Sequence, residues 1–275
     1  MSVAFYDKKV NGLTLHVSTL LEELGVPHAF TTRYGGASTD VFSSLNLGLN
    51  RGDDPGKVRE NYRRVCEALG VDMGKLVLSS QIHEDTVRKV TMEDAGKGLD
   101  RKINYTADGL ATDAPGITLV TFGADCLTIL LYDPVKKAIA NVHAGWRGTA
   151  LGIVDRAVEQ MEAEYGTQPS NLVVAIGPGI SKCCFETHGE VPEAMLTALG
   201  EDTSEFVVNL GGGKYKVDLK GINALRLRRK DVMVTKIDIS PDCTMCSHEK
   251  YWSHRYTQGK RGSQAALISL PEGTL

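Results

Sequence analysis

Residues 108–149 read DGLATDAPGITLVTFGADCLTILLYDPVKKAIANVHAGWRGT, and this stretch decides the fold. Two short apolar runs rich in Ile, Leu, Val and Thr, residues 117–122 and 127–132, carry the signal of strands. Between them Gly123-Ala124-Asp125-Cys126 sets a carboxylate and a thiol at a tight bend. Asp133-Pro134 opens a hairpin loop, and residues 138–142 return as the next strand, ending at His143. Register follows loop length, so a loop of four or five residues pairs Tyr132 with Lys137 or Ala138. Counting back sets His143 opposite Cys126 or Leu127, and directly opposed Cβ atoms stand roughly 5 Å apart. A thiolate and an imidazole at that spacing can share one metal ion.

The rest of the composition bounds the answer. A chain of 275 residues, 42% hydrophobic and 24% charged, is ordinary for a soluble globular protein and long enough for a substantial core. We expect one continuous domain over residues 1–275, since no internal repeat or low-complexity linker interrupts it. The net charge of -3 leaves no basic footprint for nucleic acid. No run of eighteen apolar residues suggests a membrane span, and the amino terminus does not read as a signal peptide. A cytoplasmic location is therefore expected. In that compartment the six cysteines point to ligation or catalysis before disulfides.

Upstream, residues 13–17 read as a strand, and residues 31–55, dense in Gly, Ser, Asp and Asn, as a long loop expected to close over a substrate. Asp54-Pro55 is a helix start, with Val58, Tyr62, Val65 and Leu69 at helical spacing up to Gly70. A strand over residues 76–80 then delivers Gln81-Ile82-His83. Downstream, a helix is expected over residues 150–165, opened by a Gly-rich turn whose free N–H groups, with Arg147 alongside, offer an anion pocket; turn chemistry alone favours the plainer alternative, a tight turn with Trp146 in the core and Arg147 in a surface pair. Residues 172–176 form a strand, 191–199 a helix, 206–209 and 215–219 a hairpin around three glycines, 220–230 a helix, and 232–239 a strand. The vicinal Cys183-Cys184 pair reads as buried thiols, and Cys243-Thr-Met-Cys246 as structural.

His83, Cys126 and His143, each at a strand end, make a mixed nitrogen and sulfur set with one open position, the pattern of a catalytic zinc. Asp125 beside the thiol is a candidate base or ligand-orienting group. The spacing alone leaves His83 an unproven third member. A metal-free alternative makes Cys126 the nucleophile and His143 its base, as in a cysteine hydrolase.

The motifs QIH (81–83), DGLATD (108–113), GADCLTILLYDP (123–134), AIANVHAGWRGT (138–149), AIGPGISKCCFE (175–186), VDLKGIN (217–223) and CTMC…SHR (243–255) occur in this order. Together they resemble the YfiH/YlmD family, long labelled laccase-domain or polyphenol oxidase proteins. The resemblance implies zinc at His83, Cys126 and His143, with copper as an alternative ion and polyphenol oxidation as the older reading. It implies purine nucleoside phosphorylase activity on adenosine, inosine or methylthioadenosine with phosphate, and adenosine deamination beside it. It also implies an α+β fold, a layered αββα arrangement with mixed or antiparallel sheets. The expected substrate set is Arg147, Gly148 and Thr149 at the helix start, Asn46 from the 31–55 loop and Arg255 from the tail. The expected partners are a purine nucleoside and phosphate, with the chain a monomer or homodimer. Glu84 stands where the family usually has glycine, Thr128 where it often has proline, and Tyr62 where it has arginine.

Overall fold

The strands Thr118–Gly123 and Leu127–Asp133 belong to different sheets, and the bend at Asp125 carries the chain from one to the other. In the computed structural model, which describes residues 3–272, the chain opens with β1 (Phe5–Val10), β2 (Leu13–Ser18), α1 (Thr19–Glu23), β3 (His28–Thr31) and α2 (Pro55–Leu69). Then come β4 (Leu76–Leu78), β5 (Val87–Lys89), β6 (Gly109–Thr112), β7 (Thr118–Gly123), β8 (Leu127–Asp133) and β9 (Ala138–Ala144). The chain continues through α3 (Trp146–Leu151), α4 (Ile153–Tyr165), β10 (Val173–Ile176), β11 (Glu186–His188) and α5 (Glu190–Leu199). It ends with β12 (Val207–Gly211), β13 (Lys214–Val217), α6 (Leu219–Arg229), β14 (Ile237–Ile239), α7 (His254–Thr257) and β15 (Gln264–Ser269).

One mixed sheet has the order β1-β2-β3-β15-β7-β4 and the other β14-β10-β8-β9-β6-β5; a small third sheet is β11-β13-β12. Three apolar layers separate four layers of structure. Val58, Tyr62 and Val65 of α2 pack on Leu15, Leu76 and Val120 of the first sheet. Phe30, Val77 and Leu119 meet Leu130, Ile139 and Val173 between the sheets. Val154, Val158 and Met161 of α4 cover Ile129, Leu131 and Val142 on the outer face of the second. This is the αββα arrangement, and the fold is α+β. No helix among the described residues is long and apolar enough to cross a membrane.

Side chains alternate along β9, so Ile139, Asn141 and His143 share the face toward the first sheet while Ala140, Val142 and Ala144 face the helices. The fully buried amide of Asn141 spans the gap, donating to the carbonyls of Leu119 (3.0 Å) and Ala266 (2.8 Å) and accepting from Thr121 (2.5 Å). It locks the two sheets in one register, because a slip would strand these groups in an apolar layer.

Several expectations change. Asp133 stays in the strand and pairs with Ala138, so Tyr132 pairs with Ile139 and His143 lies opposite Thr128. The reason is local: the Asp133 carboxylate accepts from the N–H groups of Val135 and Lys136, and Lys137 takes a positive φ of 53°, confining the turn to residues 134–137. The helix expected over residues 150–165 is two helices, since Gly152 at φ 88° ends α3 and begins α4. A 3-10 turn, Val234–Lys236, shortens the strand expected over 232–239 to β14. The 31–55 loop is mostly anchored: Leu45, Asn46 and Leu47 are fully buried, and the amide of Asn61 on α2 holds Ser38 and the Asn46 carbonyl. Only its Arg51 end borders the cleft described below.

Candidate metal centre and its cleft

Asp108, immediately before β6, organises the centre. Its fully buried carboxylate accepts from three successive backbone N–H groups, those of Ile82 (2.9 Å), His83 (3.0 Å) and Glu84 (3.0 Å). Converging three N–H groups on one anion requires a left-handed residue among them, and His83 has φ 66°. The same carboxylate meets Nδ1 of His143 at 2.8 Å. One buried acid therefore sets the backbone that presents His83 and the tautomer of His143, whose Nδ1–H donates and whose Nε2 is left as a donor atom for a metal. Burial pushes the Asp108 carboxyl up, but the hydrogen bonds from His143, Glu84 and Ile82 outweigh it and hold it below the usual range.

Cys126 reaches the same point from the bend between β7 and β8, where Asp125 adopts φ 86°. One donor atom each from His83, Cys126 and His143 lies within 4.8 Å of the others, and the two imidazole rings meet edge to face at 4.9 Å. Donors about 2.0–2.3 Å from a common zinc ion fall inside that spread, so the set fits the metal that the residue types imply. Gly145 completes the fit: a Cβ there would sit 3.1 Å from the Cys126 sulfur and 3.2 Å from the His83 ring. The cluster is electrostatically coupled. Burial opposes the thiolate, yet the charge and hydrogen bonds of His143 and His83 draw the Cys126 thiol down to about 6. Against the same burial, the Cys126 charge and Asp108 lift His143 to about 9. Without metal, the pair at neutral pH is a thiolate and an imidazolium.

The centre opens on a cleft of about 380 Å³. Trp146, Ile180 and Phe185 give it an apolar wall, while Arg51 of the 31–55 loop, Arg255 of α7 and Arg261 just beyond α7 bring positive charge. Burial and the like charge of Arg51 draw the Arg261 guanidinium down to about 10, so it remains cationic at neutral pH, and its Nε has no partner among the described residues. Asp125 lines the cleft with both oxygens committed: one accepts from the Thr244 hydroxyl (2.7 Å), the other from the backbone N–H of Arg255 (2.6 Å). That is the geometry of an anchor for the Arg255 segment rather than of a free base.

The expected substrate set divides. Arg255 is in the cleft. Arg147 is exposed with its guanidinium 4.2 Å above the Trp146 ring, outside the lining residues. Gly148 and Thr149 are buried, and the Thr149 hydroxyl accepts from Asn223. Asn46 is spent on Asp53, Gly48 and Ser263 and shapes the loop that carries Arg51. Tyr62 faces the core, donating to the Leu47 carbonyl, so the replaced arginine position does not reach the cleft. Sequence reasoning missed Asp108, Arg51 and Arg261. Asp108 opens the DGLATD motif and Arg51 lies near the end of the conspicuous 31–55 loop, but no spacing rule connects residues that far apart.

Residues 27–271 match the family model described as "Multi-copper polyphenol oxidoreductase laccase". The chain belongs to this family. It is 35% identical to purine nucleoside phosphorylase YlmD of Geobacillus stearothermophilus over 250 residues, 90% of this chain and 91% of that protein. It is 34% identical to purine nucleoside phosphorylase YlmD of Bacillus subtilis over 247 residues, 88% of each chain. Its fold superposes on the crystal structure of the Bacillus licheniformis hypothetical protein YfiH with a TM-score of 0.91 at 31% identity, over 97% of this chain and 98% of that one.

Proposed function

We propose that this chain is a zinc-dependent purine nucleoside phosphorylase acting in the cleft beside His83, Cys126 and His143. The observation that carries the reading is the three-donor set at the base of a cleft with one apolar aromatic wall and an arginine-lined rim. A purine stacks on Trp146 and Phe185. A phosphate dianion takes Arg51 and Arg261, whose charges are worth most where water is partly excluded. Arg255, fixed through Asp125, closes the anion subsite. Arg147 braces the indole from outside, acting on the substrate through Trp146.

Held so, a phosphate oxygen forms a bond to C1′ of the ribose as the bond from C1′ to the purine nitrogen breaks. The electron pair leaves with the base, which takes up a proton, and the products are ribose 1-phosphate and free purine. The arginines position the nucleophile and the wall orients the leaving base, which are the contributions that proximity rewards. Bound at His83, Cys126 and His143, zinc would supply an electrophile able to stabilise negative charge or to lower the pKa of water.

Because three protein donors leave a position open, adenosine deamination at the same centre is the second reading. The thiolate–imidazolium pair alone matches a cysteine hydrolase, but His83 crowds the same sulfur. A multicopper oxidase is not favoured, since it needs many histidines and this chain has seven, with no His-x-His pair. Chromatography of adenosine incubated with zinc-loaded protein, with and without phosphate and beside Cys126→Ala, tests the assignment. Adenine formed only with phosphate and absent in the variant supports phosphorolysis. Inosine formed regardless of phosphate replaces it with deamination, and untouched adenosine removes both for this substrate.

A further inference from the structure

A second group of donors meets away from the cleft. Cys183 and Cys184 follow β10, while Cys243 and Cys246 follow β14. Those strands are parallel neighbours, and beyond their ends a parallel bridge joins Gly179 to Cys243. The Cys183–Cys184 pair, read from sequence as buried, is in fact partly open to solvent: Cys183 and Cys246 are exposed and Cys184 is half-buried. All four sulfurs lie within 4.8 Å of one another, at 3.7 Å for Cys183–Cys184, 3.6 Å for Cys183–Cys246 and 3.3 Å for Cys184–Cys246.

These separations discriminate between chemistries. A disulfide draws two sulfurs to about 2.05 Å and leaves the other two unrelated to it. Four sulfurs about 2.3 Å from a central zinc ion stand about 3.8 Å apart at the corners of a tetrahedron. The observed spacing is close to the second value. The surroundings also suit a negatively charged tetrathiolate. The N–H of Ser181 points at the Cys243 sulfur (3.4 Å), and the N–H groups of Cys246 and Met245 face it as well. The buried ammonium of Lys220 is held next to it, donating to the carbonyls of Ser240 and Asp242 at 2.7 Å each.

We propose that Cys183, Cys184, Cys243 and Cys246 bind one structural zinc ion per chain, separate from the centre at His83, Cys126 and His143. Four protein ligands close the coordination shell, so this ion has no place for water or substrate. Its role is to join two segments some sixty residues apart in sequence, a cross-link between β10 and β14 beyond the ends of their ladder. Both segments build the cleft. Ile180 and Phe185 line it from the first, and Thr244 in the second donates to Asp125, which in turn holds Arg255.

The test is a metal count on full-length protein from zinc-supplemented growth, and it is independent of any catalytic assay. Wild type should carry two zinc equivalents, Cys126→Ala one, and Cys126→Ala combined with Cys243→Ser and Cys246→Ser none. Cobalt in Cys126→Ala should give the thiolate charge-transfer band and tetrahedral visible envelope of a tetrathiolate site. Chelation should lower its Tm by about 5 °C or more. Should the triple variant fail to fold, a mercurial titration of folded Cys126→Ala should release its zinc as four thiols react. A metal-free Cys126→Ala protein, a disulfide among these four residues on peptide mapping, or zinc that survives loss of Cys243 and Cys246 overturns the proposal.

Discussion

Replacing Asp108 with Asn removes one charge and changes almost no volume, yet it should damage the centre in a way that can be worked out. In the native protein Oδ2 takes the N–H groups of Ile82 and Glu84, and Oδ1 takes those of His83 and the His143 ring. All four partners are donors, and an amide offers only one acceptor oxygen. The best arrangement keeps that oxygen toward Ile82 and Glu84 and turns the NH₂ toward His83 and His143. His143 must then accept at Nδ1, which moves its proton to Nε2, the atom that would ligate metal. The His83 N–H loses its partner, and because His83 is exposed and this bond only part-buried the cost is at the low end, about 1 kcal/mol. The tautomer change should weaken metal binding by at least about 10–100-fold, or about 1.4–2.7 kcal/mol. Competition titration against a colorimetric chelator measures the first effect and thermal unfolding of the apo protein the second. Metal affinity within about threefold of wild type, with an unchanged apo Tm, would refute the role given to Asp108.

Four further outcomes are expected. Because Cys126 is already a thiolate above about 6 while His143 holds its proton up to about 9, metal binding should expel one proton between these values. Apparent affinity should therefore rise about tenfold per pH unit from about pH 7 to 9 and then level, and a flat profile by competition titration would contradict the coupled pair. Arg261→Ala should raise the KM for phosphate by about 10–100-fold, the worth of a charge-assisted contact, while Arg147→Ala should change it less than about threefold; equal effects in steady-state kinetics would misplace the anion subsite. Gly145→Ala pushes a methyl against the Cys126 sulfur and His83 ring, and zinc content after dialysis should fall with little loss of fold by circular dichroism. Asn141→Ala strands the inter-sheet partners and should destabilise by about 2–4 kcal/mol in denaturant titrations, without touching the ligands.

The strands of residues 108–149 were legible because each is a short apolar run closed by turn residues, and burial on both faces leaves little else for such a run to do. Their exact pairing was not, since one aspartate that stays in the ladder and one lysine that turns left-handed shift every partner. Cys126 and His143 still meet, because the bend at Asp125 compensates for the altered register. His83 joined the site through the family resemblance; its physical warrant, the convergence of three N–H groups on Asp108, exists only in three dimensions. Arg51, Arg261 and the four-sulfur cluster were illegible for the same reason. These residues sit in loops whose neighbours are set by the order of strands in a sheet, and local periodicity says nothing about that order.

His83 lies where the chain leaves β4 of the first sheet for β5 of the second, and Cys126 lies where it leaves β7 for β8. His143 is the last residue but one of β9 and lies on the face turned toward the first sheet. An ion bound there fastens both crossings to the rim of the opposite sheet, like a clasp at the open end of a hinged case. Any loosening of one sheet against the other must then be felt as a change in metal affinity. By reciprocity, metal loading should protect from hydrogen exchange the amides of strands that never touch it.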